Sequence, residues 1–395
     1  MHSQDWLACI ARDLAKKGNE VTIIDQMYSR NDQIVELSHG VRVVRLSVFG
    51  RSYDTWRRHS SLKAVERLAW SIISSLSVAK LNADVILSTY NWGALFLIHS
   101  SPKLRRRLIM YSMSLYSPGP QGPMNNLRIR TEVYLGQNTA LTVCENELQA
   151  RSLKDAGLPA RRTKVLEPAV DTDYWKPSGD TEAAKRKLGL HPDWKVILFH
   201  ARIVRRKGTC DLIRAANLLN SAHMRYNLVY VIVGPPTEGT VPTKNELAYL
   251  DHLSQLIRDF KLEKMVYLIP SWQPSSMLKD YYDACDLYVL PTSLDMAPHS
   301  IKQAMAMGKP VVTTNIGWIP TLVDNRENGL LVRPGEIKSL ADAIGMLINN
   351  ESLRDSMGSQ NLLKVAKNWR LDKFQSRWET LLLEVNRNLQ DARGK

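Results

Sequence analysis

The chain has few cysteines, a deficit of acidic side chains and no long apolar run. Its 395 residues include four cysteines, Cys9, Cys144, Cys210 and Cys285, with no C-x-x-C pair among them. Scattered cysteines argue against a disulfide framework or a cysteine-based metal site, and they are typical of a reducing cytosol. An apolar run of roughly 18 residues, the minimum for a membrane-spanning helix, is missing. We therefore expect a cytoplasmic protein that is not integral to a membrane.

The shortage of acidic groups gives the chain a basic balance. There are 53 Lys and Arg against 39 Asp and Glu, a formal net charge of +14. Basic clusters at 51–59 and 103–108 lie on either side of an amphipathic stretch at 62–76. A basic surface of this kind can simply be solvated, or it can bind an anionic membrane or nucleic acid. Because no nucleic-acid-binding motif appears, the two main interpretations are a solvated face and peripheral contact with an anionic membrane, the latter at its inner face.

Short apolar runs alternate with helical patterns in the second half of the chain. Residues 195–219 predict a buried strand, a basic loop and a helix, and strands are also predicted within 227–236, 264–272 and 277–292. Strands that alternate with helices at this spacing favour a parallel, doubly wound sheet. Ligands of such sheets gather at the carboxyl ends of the strands.

Residues 291–312, PTSLDMAPHSIKQAMAMGKPVV, predict a strand end, a polar loop and a helix that starts near Ser300. Ser is a good N-cap, and the first turn of a helix offers N–H groups and a positive dipole end to an anion. Asp295 and Gln303 stand eight positions apart across this loop. We interpret the segment as a clamp for a phosphate and a sugar. A polar loop leading into an amphipathic core helix is the alternative.

This segment resembles the donor-binding element of the retaining family-4 glycosyltransferases of GT-B fold, P-S-x-x-E-G-F-G-x-P-x-x-E-A-M-A-x-G-x-P-V-V. Eight positions keep the family residue: Pro291, Ala304, Met305, Ala306, Gly308, Pro310, Val311 and Val312. Both acidic positions differ. Asp295 replaces the Glu that contacts the donor sugar in the family, and Gln303 replaces the Glu that holds the nucleotide ribose. The resemblance implies that Asp295 is the catalytic side chain.

A second segment, 195–219, resembles the family's v-I-L-f-v-G-R-L-x-x-x-K-G-x-x-x-L pattern and places Arg202 and Lys207 on the donor-phosphate positions. A nucleotide diphosphate leaving group gains negative charge, which two fixed cations stabilise without a metal. A solvated basic turn is the alternative. The resemblance therefore implies no metal ion and no cofactor. It implies these donor-binding residues: Arg202, Lys207, Ser300, Ile301 and Gln303.

The resemblance covers nearly the whole chain and implies an α/β, GT-B architecture of two Rossmann-like doubly wound domains facing a cleft. Residues 1–175 would bind the acceptor, residues 176–370 the nucleotide-sugar donor, and 371–395 would form a helix that crosses back to the first domain. Residues 3–25 predict a helix that closes at Gly18 and a strand after it, and in the family another strand and a glycine-rich loop precede this helix. We therefore expect an incomplete first domain that lacks its first strand and leaves two strands with unpaired edges. A His that the family commonly carries after the strand at 106–112 is also missing.

These patterns predict a retaining glycosyltransferase that moves a sugar from a nucleotide diphosphate donor to a saccharide, lipid-linked or small-molecule acceptor, in glycan, polysaccharide or glycolipid synthesis. The family's retention is explained by front-face attack, in which the leaving phosphate helps to take the acceptor proton. A non-catalytic GT-B relative, acting as a binding or partner subunit, is the alternative. The changes at Asp295 and Gln303 favour it, as does Thr321, which stands where the family pattern has a Glu. A nucleotide-sugar epimerase fits the motifs less well.

Overall fold

The computed structural model describes residues 5–26, 35–37, 41–46, 60–89, 91–112, 123–221, 227–237, 241–295 and 298–391. The chain divides into two compact units. Met1–Ala169 and Leu371–Lys395 form the first unit, and Val170–Arg370 forms the second. Both are built from helices and largely parallel strands, which confirms the predicted α/β class.

The first unit contains seven strands among its described residues. They are β1 Val21–Gln26, β2 Val35–Leu37, β3 Val41–Leu46, β4 Ile86–Ser88, β5 Leu108–Ser112, β6 Leu141–Cys144 and β7 Thr163–Val165. One sheet has the order β1-β3-β2, and the other has the parallel order β4-β5-β6-β7. Within the described residues β1 pairs only with β3 and β4 only with β5, so each of these strands has one unpaired edge.

Helices cover both faces of the larger sheet of the first unit. They are α1 Asp5–Lys16, α2 Ser60–Lys80, α3 Asn91–Ser100, α4 Pro102–Arg105, α5 Pro123–Gln137, α6 Glu147–Asp155 and the last helix of the chain, α15 Leu371–Asp391. Side chains alternate along β5, because successive residues of a strand point to opposite faces. Tyr111 joins the core of α1 and α15, where Trp378 is fully buried, whereas Leu108 joins the core of α3 and α4.

The second unit has a single six-stranded sheet. Its strands are β8 Lys195–His200, β9 Leu228–Val233, β10 Val266–Ile269, β11 Leu287–Leu290, β12 Val311–Thr314 and β13 Gly329–Val332. The order is β10-β9-β8-β11-β12-β13, and every pair is parallel. The runs VILF in β8, LVYVIV in β9 and LYVL in β11 are buried, as expected for strands covered by helices on both faces.

The helices of this unit follow the strands in the βαβ manner. They are α7 Thr181–Lys187, α8 Thr209–Ser221, α9 Lys244–Asp259, α10 Ser275–Ala284, α11 His299–Ala306, α12 Ile319–Leu322, α13 Ile337–Asn349 and α14 Glu351–Asn368. Local sequence accounts for their ends. Thr243 and Glu246 form a capping box at the start of α9, and Asn350 caps α14 through its side chain. No helix in the described ranges combines the length and the apolar character that crossing a bilayer requires.

Candidate active site

Two loops meet at the carboxyl edge of the second unit's sheet, because β8 and β11 are parallel neighbours. The backbone N–H of Ser293 donates to the Arg206 carbonyl at 2.7 Å, and the Thr292 hydroxyl donates to the same oxygen at 2.9 Å. In return, the Arg206 guanidinium donates to the Leu294 carbonyl at 3.1 Å. The loop after β8 and the loop after β11 are therefore held together as one structure.

Gly208 makes this close approach sterically feasible. It follows a short 3₁₀ turn, Arg205–Lys207, and has a φ of +77°. A Cβ atom at this position would lie 1.9 Å from the Pro291 carbonyl oxygen. Only glycine fits both the left-handed conformation and the contact, and the chain then enters α8 directly. The K-G pair of the sequence motif thus fixes the position of Lys207 beside the loop after β11.

Lys207 and Asp295 form a buried ion pair at this junction. The Lys207 Nζ donates to Asp295 Oδ2, and the two residues are 9% and 7% exposed. The sequence predicted that Lys207 contacts the donor phosphates and that Asp295 contacts the donor sugar. The structure brings the two predicted residues together, 88 positions apart in the chain. A phosphate that reaches Lys207 has to share it with, or take it from, the Asp295 carboxylate.

Arg202 lies two residues beyond the end of β8, and its side chain is exposed. It belongs to the same loop as Lys207, so both predicted phosphate cations lie at one edge of the sheet. Lys207 is buried with its carboxylate partner, whereas Arg202 is exposed to solvent.

Helix α11 begins at His299, with Pro298 as its N-cap residue and no side-chain capping bond. The expectation that Ser300 caps this helix is wrong. Ser300 lies inside the first turn, where its hydroxyl group is 2.7 Å from the Tyr288 hydroxyl. A partner from the neighbouring strand β11 has replaced the local capping interaction that the sequence favours.

A buried polar network connects the first turn of α11 to the end of β8. The Tyr288 hydroxyl lies 3.0 Å from the His200 carbonyl oxygen as well as 2.7 Å from Ser300 Oγ. The Tyr282 hydroxyl lies 2.9 Å from His200 Nδ1, 3.1 Å from the Ser300 carbonyl and 3.4 Å from Gln303 Oε1. Two tyrosines thus tie the end of β8, which leads into the Arg202–Lys207 loop, to the helix that carries Ser300 and Gln303.

The donors in this network follow from counting protons. A carbonyl oxygen only accepts, so the Tyr288 hydroxyl donates to the His200 carbonyl and accepts a hydrogen bond from the Ser300 hydroxyl. Tyr282 likewise donates to a carbonyl oxygen, which leaves His200 Nδ1–H as the donor to the Tyr282 oxygen. Burial, with a smaller effect from the Lys207 cation, lowers the pKa of His200 to about 4. His200 is therefore neutral at pH 7 and is held as one tautomer.

Gln303 and Ile301 differ sharply in what they can offer a ligand. The Gln303 side chain is half-buried, and its Oε1 atom lies 3.4 Å from the Tyr282 hydroxyl, which has the nearer Ser300 carbonyl to donate to. Its Oε1 atom therefore keeps capacity to accept from a ribose hydroxyl. Ile301 is fully buried in the core, and its N–H donates to the Pro298 carbonyl at 3.1 Å. Ile301 consequently shapes the helix, and its side chain has no access to solvent.

His200, Tyr282 and Tyr288 were not predicted from the sequence as members of this site. Each lies in a run that predicts a core strand or helix, and the tyrosine side chains are largely apolar. A histidine at the end of the buried β8 strand is the one signal that was available, since a buried polar group needs a partner. Within the described part of the chain, no group of three or more His, Cys, Asp or Glu side chains is placed to hold a metal ion.

Comparison with known proteins identifies the class. Residues 180–362 match the family described as Glycosyl transferases group 1, and residues 6–174 match Glycosyltransferase Family 4. The two matches together cover nearly all of the chain. The chain belongs to the family-4, group 1 glycosyltransferases, as the two motifs predicted.

Curated relatives of the chain include D-inositol 3-phosphate glycosyltransferases. The protein from Corynebacterium jeikeium is 33% identical over 198 residues, which are 49% of this chain and 45% of the relative. The protein from Corynebacterium aurimucosum is 26% identical over 365 residues, 88% of this chain and 83% of the relative. The first alignment spans less than half of the relative, and the second spans most of it.

Solved structures share the fold over nearly the whole chain. Sucrose-phosphate synthase from Thermosynechococcus elongatus superimposes with a TM-score of 0.78 at 19% identity, covering 98% of this chain and 94% of that one. Anabaena HepE in complex with UDP gives a TM-score of 0.72 at 19% identity, covering 93% and 100%. These likenesses confirm the GT-B fold.

Proposed function

We propose that the protein is a retaining glycosyltransferase that transfers a sugar from a nucleotide diphosphate donor to a saccharide, lipid-linked or small-molecule acceptor. The observation that carries this proposal is the meeting of Lys207 and Asp295 beside the first turn of α11. Three groups then lie along one edge of one sheet. They are the Lys207 cation for phosphate, the Asp295 carboxylate for sugar hydroxyls and the Gln303 amide for ribose. The family membership and the fold support the same reaction class.

In the proposed reaction, Arg202 and Lys207 bind the diphosphate, and Gln303 binds a ribose hydroxyl. The bond between the anomeric carbon and the phosphate oxygen breaks, and its electron pair moves to that oxygen, where the two cations stabilise the charge. The acceptor hydroxyl attacks the same face of the sugar, and its proton passes to the departing phosphate oxygen. Asp295 accepts hydrogen bonds from donor-sugar hydroxyls once the phosphate competes for Lys207.

The relatives indicate which ligands to test first. HepE was solved with UDP and with UDP-glucose, and the curated relatives carry inositol 3-phosphate in their names. We therefore propose UDP-sugars as the first donors and sugar or cyclitol phosphates as the first acceptors. We also propose that no metal or cofactor takes part, since two cations stand at the leaving group. Chelation with EDTA is then expected to leave the rate unchanged.

The test has a binding stage and a turnover stage. Calorimetry with UDP, GDP and ADP is expected to identify one nucleotide diphosphate that binds the purified chain. Release of that nucleotide from its sugar conjugate should rise when an acceptor mixture is added, and NMR of the product should show the donor's anomeric configuration. Inversion of configuration would contradict the retaining mechanism.

The alternative of a non-catalytic relative has its own supporting observation. Asp295 is engaged by Lys207, and the neutral Gln303 binds ribose less strongly than a carboxylate does. Nucleotide binding without any acceptor-dependent release, across donors and acceptors, would favour this binding or partner role. Equal binding of all nucleotides and of inorganic phosphate would contradict both interpretations.

A further inference from the structure

Helix α2 of the first unit carries an apolar stripe on its outer face. Leu68, Ile72 and Leu76 are 45%, 39% and 53% exposed. Residues four apart in a helix lie on the same face, so these three side chains form one continuous line. Large apolar side chains that are exposed singly are ordinary, whereas a line of three on one helix marks an interaction surface.

The most deeply buried of the described side chains of α2 are serines, beside which Val78 packs against the core of α3 and α4. Ser71, Ser74 and Ser75 are buried where α2 packs against α3. Ser74 donates to the Ser71 carbonyl at 3.1 Å, and Ser75 Oγ lies 2.6 Å from the same oxygen and 3.0 Å from the Gly93 carbonyl. Small, internally satisfied side chains let the two helices approach closely. Among the described residues, the hydrophobic cores of the first unit do not include Leu68, Ile72 or Leu76.

The helices grouped around α3, including α2, carry more exposed basic than acidic side chains. Between residues 68 and 137, five of the exposed charged side chains that the structure describes are basic and one, Asp84, is acidic. The basic residues are Lys80, Lys103, Arg106, Arg128 and Arg130. They lie on or beside α2, α4 and α5, and α3 packs against each of these three helices. On α5, Leu127 and Tyr134 are also exposed, at 60% and 41%.

We propose that the outer face of α2, with the basic side chains of α4 and α5, is a docking surface for an anionic lipid bilayer. Apolar side chains that enter the headgroup boundary combine with basic groups attracted to acidic lipids, and neither contribution is strong alone. A second copy of the chain fits less well, because two basic faces repel each other. The proposal does not depend on the donor chemistry of the second unit.

The test compares vesicle binding of the whole chain and its variants by co-sedimentation. Vesicles of phosphatidylcholine with phosphatidylglycerol are expected to bind the chain, and those of phosphatidylcholine alone to bind it at least tenfold less, a difference that salt removes. Ile72→Gln with Leu76→Gln should lower binding by about tenfold or more. Leu383→Gln is the matched control. Leu383 is 55% exposed on α15 of the same unit, and its loss should not change binding.

A charge variant separates the electrostatic attraction to acidic lipids from the insertion of apolar side chains. Lys103→Ala with Arg130→Ala should weaken binding to acidic vesicles severalfold while leaving the weak binding to neutral vesicles unchanged. Circular dichroism and nucleotide binding should be the same in all variants. Equal binding to both vesicle types, or none to either, would overturn the proposal. So would a dimer in light scattering that the Ile72 and Leu76 changes dissociate, since a second copy would then be what covers the stripe.

Discussion

Lys207 and Asp295 neutralise each other where both side chains are nearly removed from water. A buried pair of this kind adds little net stability, but the loss of one partner leaves an uncompensated charge. The loss of either residue is therefore expected to disturb the local structure, independently of any ligand. It also means that substitution of either residue alone mixes a folding effect with a binding effect.

A double variant separates these two effects for Lys207. Lys207→Ala is expected to weaken nucleotide diphosphate binding by about 1.5–3 kcal/mol, the usual magnitude for hydrogen bonds to charged groups, and also to lower stability. Lys207→Ala with Asp295→Asn should regain much of the stability, because no buried charge is left unpaired, but not the affinity. Calorimetry measures the affinity, and thermal unfolding measures the stability. Recovery of affinity in the double variant would exclude a phosphate contact by Lys207.

Tyr288 has a well-matched control in the same sheet. Tyr288→Phe leaves the His200 carbonyl and the Ser300 hydroxyl without this partner, so it should cost about 1–3 kcal/mol of stability and weaken nucleotide binding. The hydroxyl of Tyr230, also fully buried in the sheet, has no hydrogen-bond partner among the described residues. Tyr230→Phe should therefore be neutral or stabilising. Equal effects of the two substitutions on nucleotide affinity would rule out a positioning role for Tyr288.

His200 should make the second unit sensitive to acid. Its pKa is lowered to about 4, so below about pH 6.5 the unfolded chain binds a proton that the folded chain does not. Stability is then fully present above pH 6.5 and is lost as the pH falls towards 4, by an amount of order 2–3 kcal/mol. His200→Asn keeps an N–H donor for Tyr282 without the titration. Urea unfolding at about pH 7 and pH 5 should show a smaller pH dependence for this variant than for the wild type.

At the scale of elements, the site depends on how closely the loop after β8 approaches the loop after β11. Gly208→Ala places a Cβ atom 1.9 Å from the Pro291 carbonyl and also strains a positive φ, so we expect a cost of about 2–5 kcal/mol and loss of nucleotide binding. Gly189 is the control for backbone strain without a steric clash. Its φ is +71°, and a Cβ atom added there would meet nothing within 4 Å. Gly189→Ala should cost about 1 kcal/mol and leave binding intact.

The elements themselves could be predicted from sequence, whereas the contacts between them could not. Apolar runs and glycines located β8, β11 and the K-G turn, and the parallel order of the strands placed Arg202, Lys207 and Asp295 at one edge. The Lys207–Asp295 pair joins residues 88 positions apart, and periodicity specifies faces rather than partners. The tyrosine network was missed for the same reason, because Tyr282 and Tyr288 fit a core pattern equally well. Ser300 was misplaced as a cap because a strand residue competes for its hydroxyl.

At the scale of the whole molecule, the two units differ in how continuous their sheets are. The second unit has six parallel strands in one sheet, and its central strands are buried on both faces. The strands of the first unit form separate sheets of three and four strands among the described residues. Backbone groups at an unpaired edge must bond to water or to another segment, and they gain nothing from a neighbouring strand.

Hydrogen exchange of the purified chain should reveal this difference directly. Amides of β8, β9, β11 and β12 are expected to exchange slowly, because their opening requires disruption of the single core of the second unit. Amides of β1, β3 and β4 should exchange markedly faster, since β1 and β4 are edge strands and β3 is next to one among the described residues. Strands β5 and β6, which lie inside the four-stranded sheet and contact α15, serve as the internal control and should be intermediate. Equal protection of β1, β4 and β8 would show that the edges of the first unit are covered as effectively as the sheet of the second.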